Sequence, residues 1–390
     1  MLGGGFWVVV DFTLPEELEI LRKSAREFAE KEVAPRVDEM DRTGETPVDL
    51  VKRMMELGFG ALLIPKEYGG TGLGHLARMI VIEEIARISP ALAFALQIVH
   101  LGQGPVLYYA NEEQKKRWLP KMAKGEIIAT AAVTEPTGGS DVRGIQTVAK
   151  KKDGEYIVSG RKCFITNVNI ANMHGFLAKL EGEGKPKFVW LMVEADAPGV
   201  KVGRLEDKVG LRGLGTGELI LDNVRVPEEN RVGAEGEGLR AALTAISNIG
   251  RPGVAAVALG IIRRCLEEAA KYAKTRTLYG KPISELQAIQ WYLTDMYVDY
   301  ETARLVTWYA AWMRDRGMPA DAENSLSKFY AVEAAVRSAH KAIQVFGAYG
   351  IMREIIPQRL LRDAEVLCSA AGTQEIMRLV MLRKALEFGG

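Results

Sequence analysis

Apolar positions along this chain repeat with two different periods, and the switch between them divides it into three parts. In Glu16-Glu-Leu-Glu-Ile-Leu-Arg-Lys-Ser-Ala-Arg-Glu-Phe28, Leu18, Leu21, Ala25 and Phe28 recur at helical spacing with charges on the opposite face. Tyr68-Gly-Gly-Thr-Gly-Leu-Gly74 breaks that pattern and Arg78 to Ile88 resumes it. The spacing predicts helix from residue 11 to about 125. From about 127 to 237 the character changes. Glu155–Ser159, Cys163–Thr166, Lys187–Val193 and Glu218–Val226 are short β-branched or aromatic runs separated by Gly, Pro, Asn and Asp, which predicts strands. After Gly233-Ala-Glu-Gly-Glu-Gly238 the chain reads as long helices to its end. The expected class is α+β, with an N-terminal helical domain (11–126), a middle β-barrel-like domain (127–237) and a C-terminal helical domain (238–390).

A length of 390 residues calls for two or three domains or layers. The 51 basic and 50 acidic residues nearly cancel, which gives no electrostatic reason to expect a nucleic-acid partner. No apolar run is read as reaching the ~18 residues that span a bilayer. Phe6-Trp-Val-Val-Val10 is too short for that and lacks the flanks of a signal peptide, so no membrane insertion is expected. Cys163, Cys265 and Cys368 are far apart and read as buried thiols in a reducing compartment, pointing to the cytoplasm. The four histidines lack ligand spacing, and no metal is expected. The glycine-rich stretches at 69–74 and 210–217 lack the context of a phosphate-binding loop and read as plain loops.

Several motifs carry a resemblance. Ala132-Val-Thr-Glu-Pro-Thr-Gly-Gly-Ser-Asp-Val-Arg-Gly144, Gly160-Arg-Lys-Cys-Phe-Ile-Thr-Asn167, Arg276-Thr-Leu-Tyr-Gly-Lys-Pro-Ile-Ser-Glu-Leu-Gln287 and Gln344-Val-Phe-Gly-Ala-Tyr-Gly350 occur in that order. Together they resemble the acyl-CoA dehydrogenase family from about Asp11 to Leu386. The resemblance implies FAD between the β domain and a C-terminal four-helix bundle, usually in a homotetramer of fatty acid metabolism. It further implies an acyl-CoA substrate and an electron-transferring flavoprotein as acceptor. Ala131, Val133, Thr134, Gly139, Ser140, Phe164, Ile165 and Thr166 would line the flavin, with Thr166 at flavin N5 and Ser140 also near the substrate. Arg276, Tyr279, Leu286 and Gln287 would reach a neighbouring subunit's cofactor, the guanidinium matching its pyrophosphate. Gln344, Val345, Ala348, Thr373 and Glu375 would complete the cofactor site. Ala348 departs from the usual Gly or Ser.

One departure concerns the chemistry itself. Family members remove a proton from Cα of the thioester with a carboxylate and pass a hydride from Cβ to flavin N5. The base-bearing loop, usually Glu-Gly-Thr, here reads Ala371-Gly372-Thr373, and the alternative base position before Arg251 is Gly250. Both usual base positions thus lack a carboxylate, and losing a general base costs ~10²–10⁴-fold. A backbone N–H at Ala371 would still polarise the thioester carbonyl, with Asn248, Arg251 and Gly372 helping to seat the substrate. Glu365 and Glu375 are not expected to substitute. Three readings stay open: a dehydrogenase whose base lies elsewhere or comes from its substrate, a desulfinase-like elimination that needs no base, and a non-catalytic FAD- and acyl-CoA-binding homologue. Against the second, Pro90–Gln97 offers Phe94 and no arginine to hold an anionic tail.

Overall fold

The computed structural model describes residues 13–389. The Phe6–Val10 run, and Asp11 and Phe12 of the expected helical region, lie outside the described residues. The chain begins with helices α1 (Glu16–Phe28), α2 (Val37–Thr43), α3 (Val48–Glu56), α4 (Gly74–Ala86), α5 (Pro90–Tyr109) and α6 (Glu112–Ala123). Local sequence explains their starts. Glu16, Glu17 and Glu19 place negative charge at the positive end of α1. Ser89 caps α5 by accepting from Leu92 N–H, with Pro90 following at the first helical position. Asn111 and Gln114 form a reciprocal capping box at α6.

Strands follow: β1 (Ala129–Ala132), β2 (Val148–Lys152), β3 (Glu155–Thr166), β4 (Met173–Leu180), β5 (Phe188–Glu194), β6 (Val200–Leu205), β7 (Thr216–Pro227) and β8 (Arg231–Val232). They join in one sheet of order β6-β7-β3-β2-β4-β5-β8, with β1 parallel to β4. The two runs expected at 155–159 and 163–166 are one strand, β3, whose register against β7 slips between Lys162 and Ile165. β4 was not foreseen because six of its residues are buried in succession, which leaves no alternation to read.

The remaining helices are α7 (Gly238–Ala245), α8 (Arg251–Thr275), α9 (Gln287–Asp315), α10 (Asp321–Phe346), α11 (Ile356–Leu367) and α12 (Gln374–Leu386). A π-helical turn, Ile246–Gly250, joins α7 to α8, and a short hairpin, β9 (Thr277–Leu278) with β10 (Lys281–Pro282), joins α8 to α9. α8, α9, α10 and α11 pack as the C-terminal bundle.

Helices of the first and last thirds share one apolar core, in which α4, α5 and α8 are buried nearly all round; a second core fills the inside of the sheet. This corrects the reading of the apolar runs. Pro90–Tyr109 and the continuous Gly238–Thr275 are long and apolar enough by composition to cross a bilayer, yet 83% and 94% of their apolar windows are buried inside the protein. A second correction concerns the thiols: Cys163 and Cys265 are buried, but Cys368 is only half-buried.

Gly260 sets a close crossing of α8 with α4, backbone against backbone. A Cβ there would lie 2.4 Å from Ala86 Cβ and 2.6 Å from Ala86 C and Arg87 N. Backbone cannot yield as a flexible side chain can, so Gly260→Val should destabilise the protein by ~3 kcal/mol or more. Urea unfolding of the two proteins measures this directly.

Candidate active site

The glycine-containing motif after β1 forms a tight turn in which Glu135 and Gly138 exchange backbone hydrogen bonds. Thr134 C=O accepts from Cys163 N–H at 3.0 Å, tying this turn to β3. The turn is held beneath by a buried ion pair that sequence reasoning missed. Lys162 Nζ donates to Glu135 Oε1 at 2.7 Å and to Val133 C=O at 3.3 Å, while Glu135 also accepts from Gln146 N–H, Thr147 N–H and the Thr147 hydroxyl. Burial pulls the Lys162 ammonium down to about 8, with Glu135 opposing. Burial pushes the Glu135 carboxyl up, but Lys162 and its other donors outweigh that and hold it below its usual value. The pair is ionised at neutral pH. A lysine at an inward position of an apolar strand was the available signal.

The slip in β3 is a β-bulge. It places Phe164 at φ +57° and turns its ring outward, 64% exposed, while Cys163 and Ile165 stay in the interior. Ala131, Thr134 and Thr166 are half-buried, Val133 is buried, and Gly139 and Ser140 are exposed. Thr166 Oγ1 lies 3.5 Å from Thr216 Oγ1. The Ile165 side chain belongs to the sheet core, so it can offer a ligand only its backbone.

A second group gathers where α8 and α10 end, joined by the stacked rings of Tyr272 and Phe346 at 4.1 Å. Arg276, Tyr279, Gln287, Gln344 and Ala348 are exposed there, Leu286 is half-buried and Val345 is buried. Among the described residues Arg276 has no ion-pair partner, so its guanidinium is free to meet a phosphate. Among the described residues no hydrogen bond or ion pair links this group to the β-domain group within one chain. Both groups present the polar donors and close backbone approach that a dinucleotide requires, so the residues fit FAD.

The carboxylate-free positions meet. A Cβ on Gly250 would lie 3.4 Å from Ala371 Cβ, 3.7 Å from Leu101 Cδ1 and 3.8 Å from Ile246 Cγ2, all of them carbon. Ala371 holds φ +53°, and among the described residues its N–H meets no acceptor. Glu365 and Glu375 are exposed. Glu375 sits in the first turn of α12, which Thr373 caps through Ile376 N–H. Among the described residues no cluster could hold a metal ion.

Cations surround this junction. Lys328 Nζ donates to Cys368 C=O and Gly372 C=O, each at 2.9 Å, and to Gln374 Oε1 at 2.6 Å. Arg251 Nη1 donates to Ser325 Oγ at 3.1 Å, and Asn248 beside it is buried. Fully buried Arg78 donates through Nη1 to Gln97 Oε1 at 2.6 Å and to Ile249 C=O at 3.1 Å. Gln97 Nε2 in turn donates to the carbonyls of Ile249 and Gly250. Sequence reading passed over Arg78, Gln97 and Lys328. The signal for Arg78 was a lone cation between Ala77 and Met79 in an apolar helical run.

A flavoprotein oxidoreductase of three parts, helical, sheet and helical, is the class this fold and these residue groups define. Models of the acyl-CoA dehydrogenase N-terminal, middle and C-terminal domains match residues 15–126, 130–224 and 236–386. An acyl-CoA dehydrogenase of Bacillus subtilis is 40% identical over 95% of this chain and 98% of its own. Butyryl-CoA dehydrogenase from Megasphaera elsdenii has a TM-score of 0.94 at 33% identity, covering 97% and 100% of the two chains. A chain from the structure of the electron transferring flavoprotein of Acidaminococcus fermentans reaches 0.93 at 34% identity, covering 97% and 100%. The FAD complex of PigA reaches 0.91 at 29% identity, covering 98% and 100%. This chain belongs to the acyl-CoA dehydrogenase family; it is a flavoenzyme, and FAD is its cofactor.

Two outcomes follow from the electrostatics. Glu135→Gln leaves the Lys162 ammonium buried without its counter-charge and should cost ~3–5 kcal/mol of stability, read from urea midpoints. Burial holds His100 down to about 3, His174 to about 4 and His75 well below its ordinary value. Each is neutral when folded and takes a proton on unfolding below ~6.5. Their contribution is therefore complete above ~6.5 and is lost as pH falls towards 4, by up to ~1.4 kcal/mol per pH unit per histidine. His174→Gln should flatten that slope between about pH 6.5 and 4.

Proposed function

We propose that this chain desaturates the Cα–Cβ bond of an acyl-CoA thioester without a side-chain carboxylate at either of the family's base positions. The observation that carries the reading is the meeting of Gly250 with Ala371, where the three atoms nearest to a Cβ on Gly250 are all carbon. Bound FAD supplies the hydride acceptor. The chain supplies the rest: Ala371 N–H is aimed to polarise the thioester carbonyl, and Lys328 fixes the loop that carries it. Arg251 and Lys328 lend positive potential to the oxygen on which charge develops. With no side chain at either position to accept it, the Cα proton leaves to a group that the substrate carries. Anaerobic mixing with a panel of acyl-CoAs tests this: bleaching of the flavin supports desaturation, and a spectral shift without bleaching supports binding alone.

The proposal extends to assembly and partners. α9 exposes Trp291, Tyr297, Leu305 and Tyr309, and α12 exposes Leu379 and Leu382, apolar area of the kind buried between subunits. A homotetramer covers them and lets Arg276 serve a neighbour's FAD. The likeness to a chain from the Acidaminococcus fermentans structure supports an electron-transferring flavoprotein as acceptor. The free thiols Cys163, Cys265 and Cys368 support residence in the cytoplasm and a place in fatty acid metabolism is consistent with the family.

Ala371→Glu or Gly250→Glu should raise single-turnover flavin reduction by simple saturated acyl-CoAs by ~10²-fold or more. No gain from either would count against the assumed position of Cα. In light scattering the wild-type chain should run as four copies. Trp291→Glu combined with Leu382→Glu should lower that mass and release FAD; an unchanged mass would place the interface elsewhere.

A further inference from the structure

Three buried cations frame the junction of Gly250 and Ala371: two bind backbone carbonyls beside it, and the third is the next residue after Gly250. Arg78 binds the carbonyl of Ile249, Lys328 binds that of Gly372, and Arg251 follows Gly250 directly. Among the described residues none of the three has a carboxylate as ion-pair partner; their bonds go to carbonyls, hydroxyls and side-chain amides. Arg251 is linked to Asp321 through the Ser247 hydroxyl, so Arg78 is the cation left with least compensation, a rare state for a buried charge.

Arg78 is the extreme case. It is fully buried, and its Nε and Nη2 have no hydrogen-bond partner in the protein. One turn earlier on α4, His75 lines a cavity of about 520 Å³ with Leu107, Tyr108, Arg314 and Asp315. Asp315 is the acid whose field reaches Arg78, but its two oxygens are committed to His75 N–H at 2.6 Å and Leu76 N–H at 2.9 Å. Arg314 and Asp315 both line this cavity, whereas Arg78, one turn further along α4, does not line it and has no ion-pair partner among the described residues. The guanidinium fork left open by Gln97 and Ile249 is the donor pair a carboxylate takes in bidentate fashion.

We propose that Arg78 recognises a second carboxylate on the acyl group, so that the substrate is the CoA thioester of a dicarboxylic acid. This rests on the acyl-CoA reading above and names its substrate class. The arginine expected to be absent from Pro90–Gln97 is thereby supplied by α4, docked onto Gln97 from the neighbouring helix. The substrate's carboxylate enters a site whose own carboxylates are missing.

The test uses the FAD-loaded protein and matched pairs of CoA esters that differ only in a terminal carboxylate: propionyl with malonyl, butyryl with succinyl, pentanoyl with glutaryl, hexanoyl with adipyl. Affinity is read by calorimetry. For at least one pair the dicarboxylic ester should bind ~10-fold tighter or more. Arg78→Met should erase that preference, bringing the two esters of the pair to equal affinity, while leaving the melting temperature unchanged or higher, because it removes an unpaired buried charge. Arg78→Lys should keep part of it. A preference for the monocarboxylic ester in every pair overturns the proposal and needs no variant to show it. So does an Arg78→Met protein that keeps the preference, or one that binds both esters unchanged and merely melts lower. If no ester of either kind binds, the acyl-CoA reading itself falls.

Discussion

Lys328 reaches from the middle of α10 to the loop between α11 and α12 and holds it by two carbonyls and an amide oxygen. Without that grip the loop would have no regular structure to place it. With it, Ala371 is held in a left-handed conformation against the π-helical turn that precedes α8. The geometry of the Gly250–Ala371 junction follows from this arrangement. Burial pulls the Lys328 ammonium down to about 8, yet it remains charged near neutrality and has only neutral oxygens to bind. A buried cation satisfied by carbonyls is a rigid tether, since each broken bond would leave a charged donor bare.

The same electrostatic logic runs through the cleft. In the β domain the charges balance: Lys162 is answered by Glu135, and the pair braces the turn that follows β1. At the thioester end they do not. Arg78, Arg251 and Lys328 gather where Gly250 and Ala371 have no carboxylate to offer. The difference divides the site into a self-sufficient cofactor half and a substrate half that is electrostatically incomplete.

Much of the site could be read from motifs because its contacts are local. The turn after β1 and the hairpin after α8 each form between residues close in sequence. Gly138 and Gly139 announce a turn, and Asn111 with Gln114 announces a helix start. The missed residues act at a distance. Arg78 meets Ile249 across 171 positions and Lys328 meets Gly372 across 44, so no window of sequence contains both ends of either bond. The bulge at Phe164 was hidden for a different reason, because an alternating run reads as a regular strand until its partner β7 imposes the slip.

Periodicity alone determined the succession of helices, sheet and helices, because burying one face of each element demands it. Residue identity alone determined that neither usual base position carries a carboxylate. Only the tertiary structure decided that those positions touch, and that α4, α5 and α8 are core helices despite a composition fit for a lipid bilayer. Only it revealed buried cations where a substrate is expected. Charge in a protein interior takes its meaning from what surrounds it, and those surroundings are assembled by packing between segments far apart in the chain.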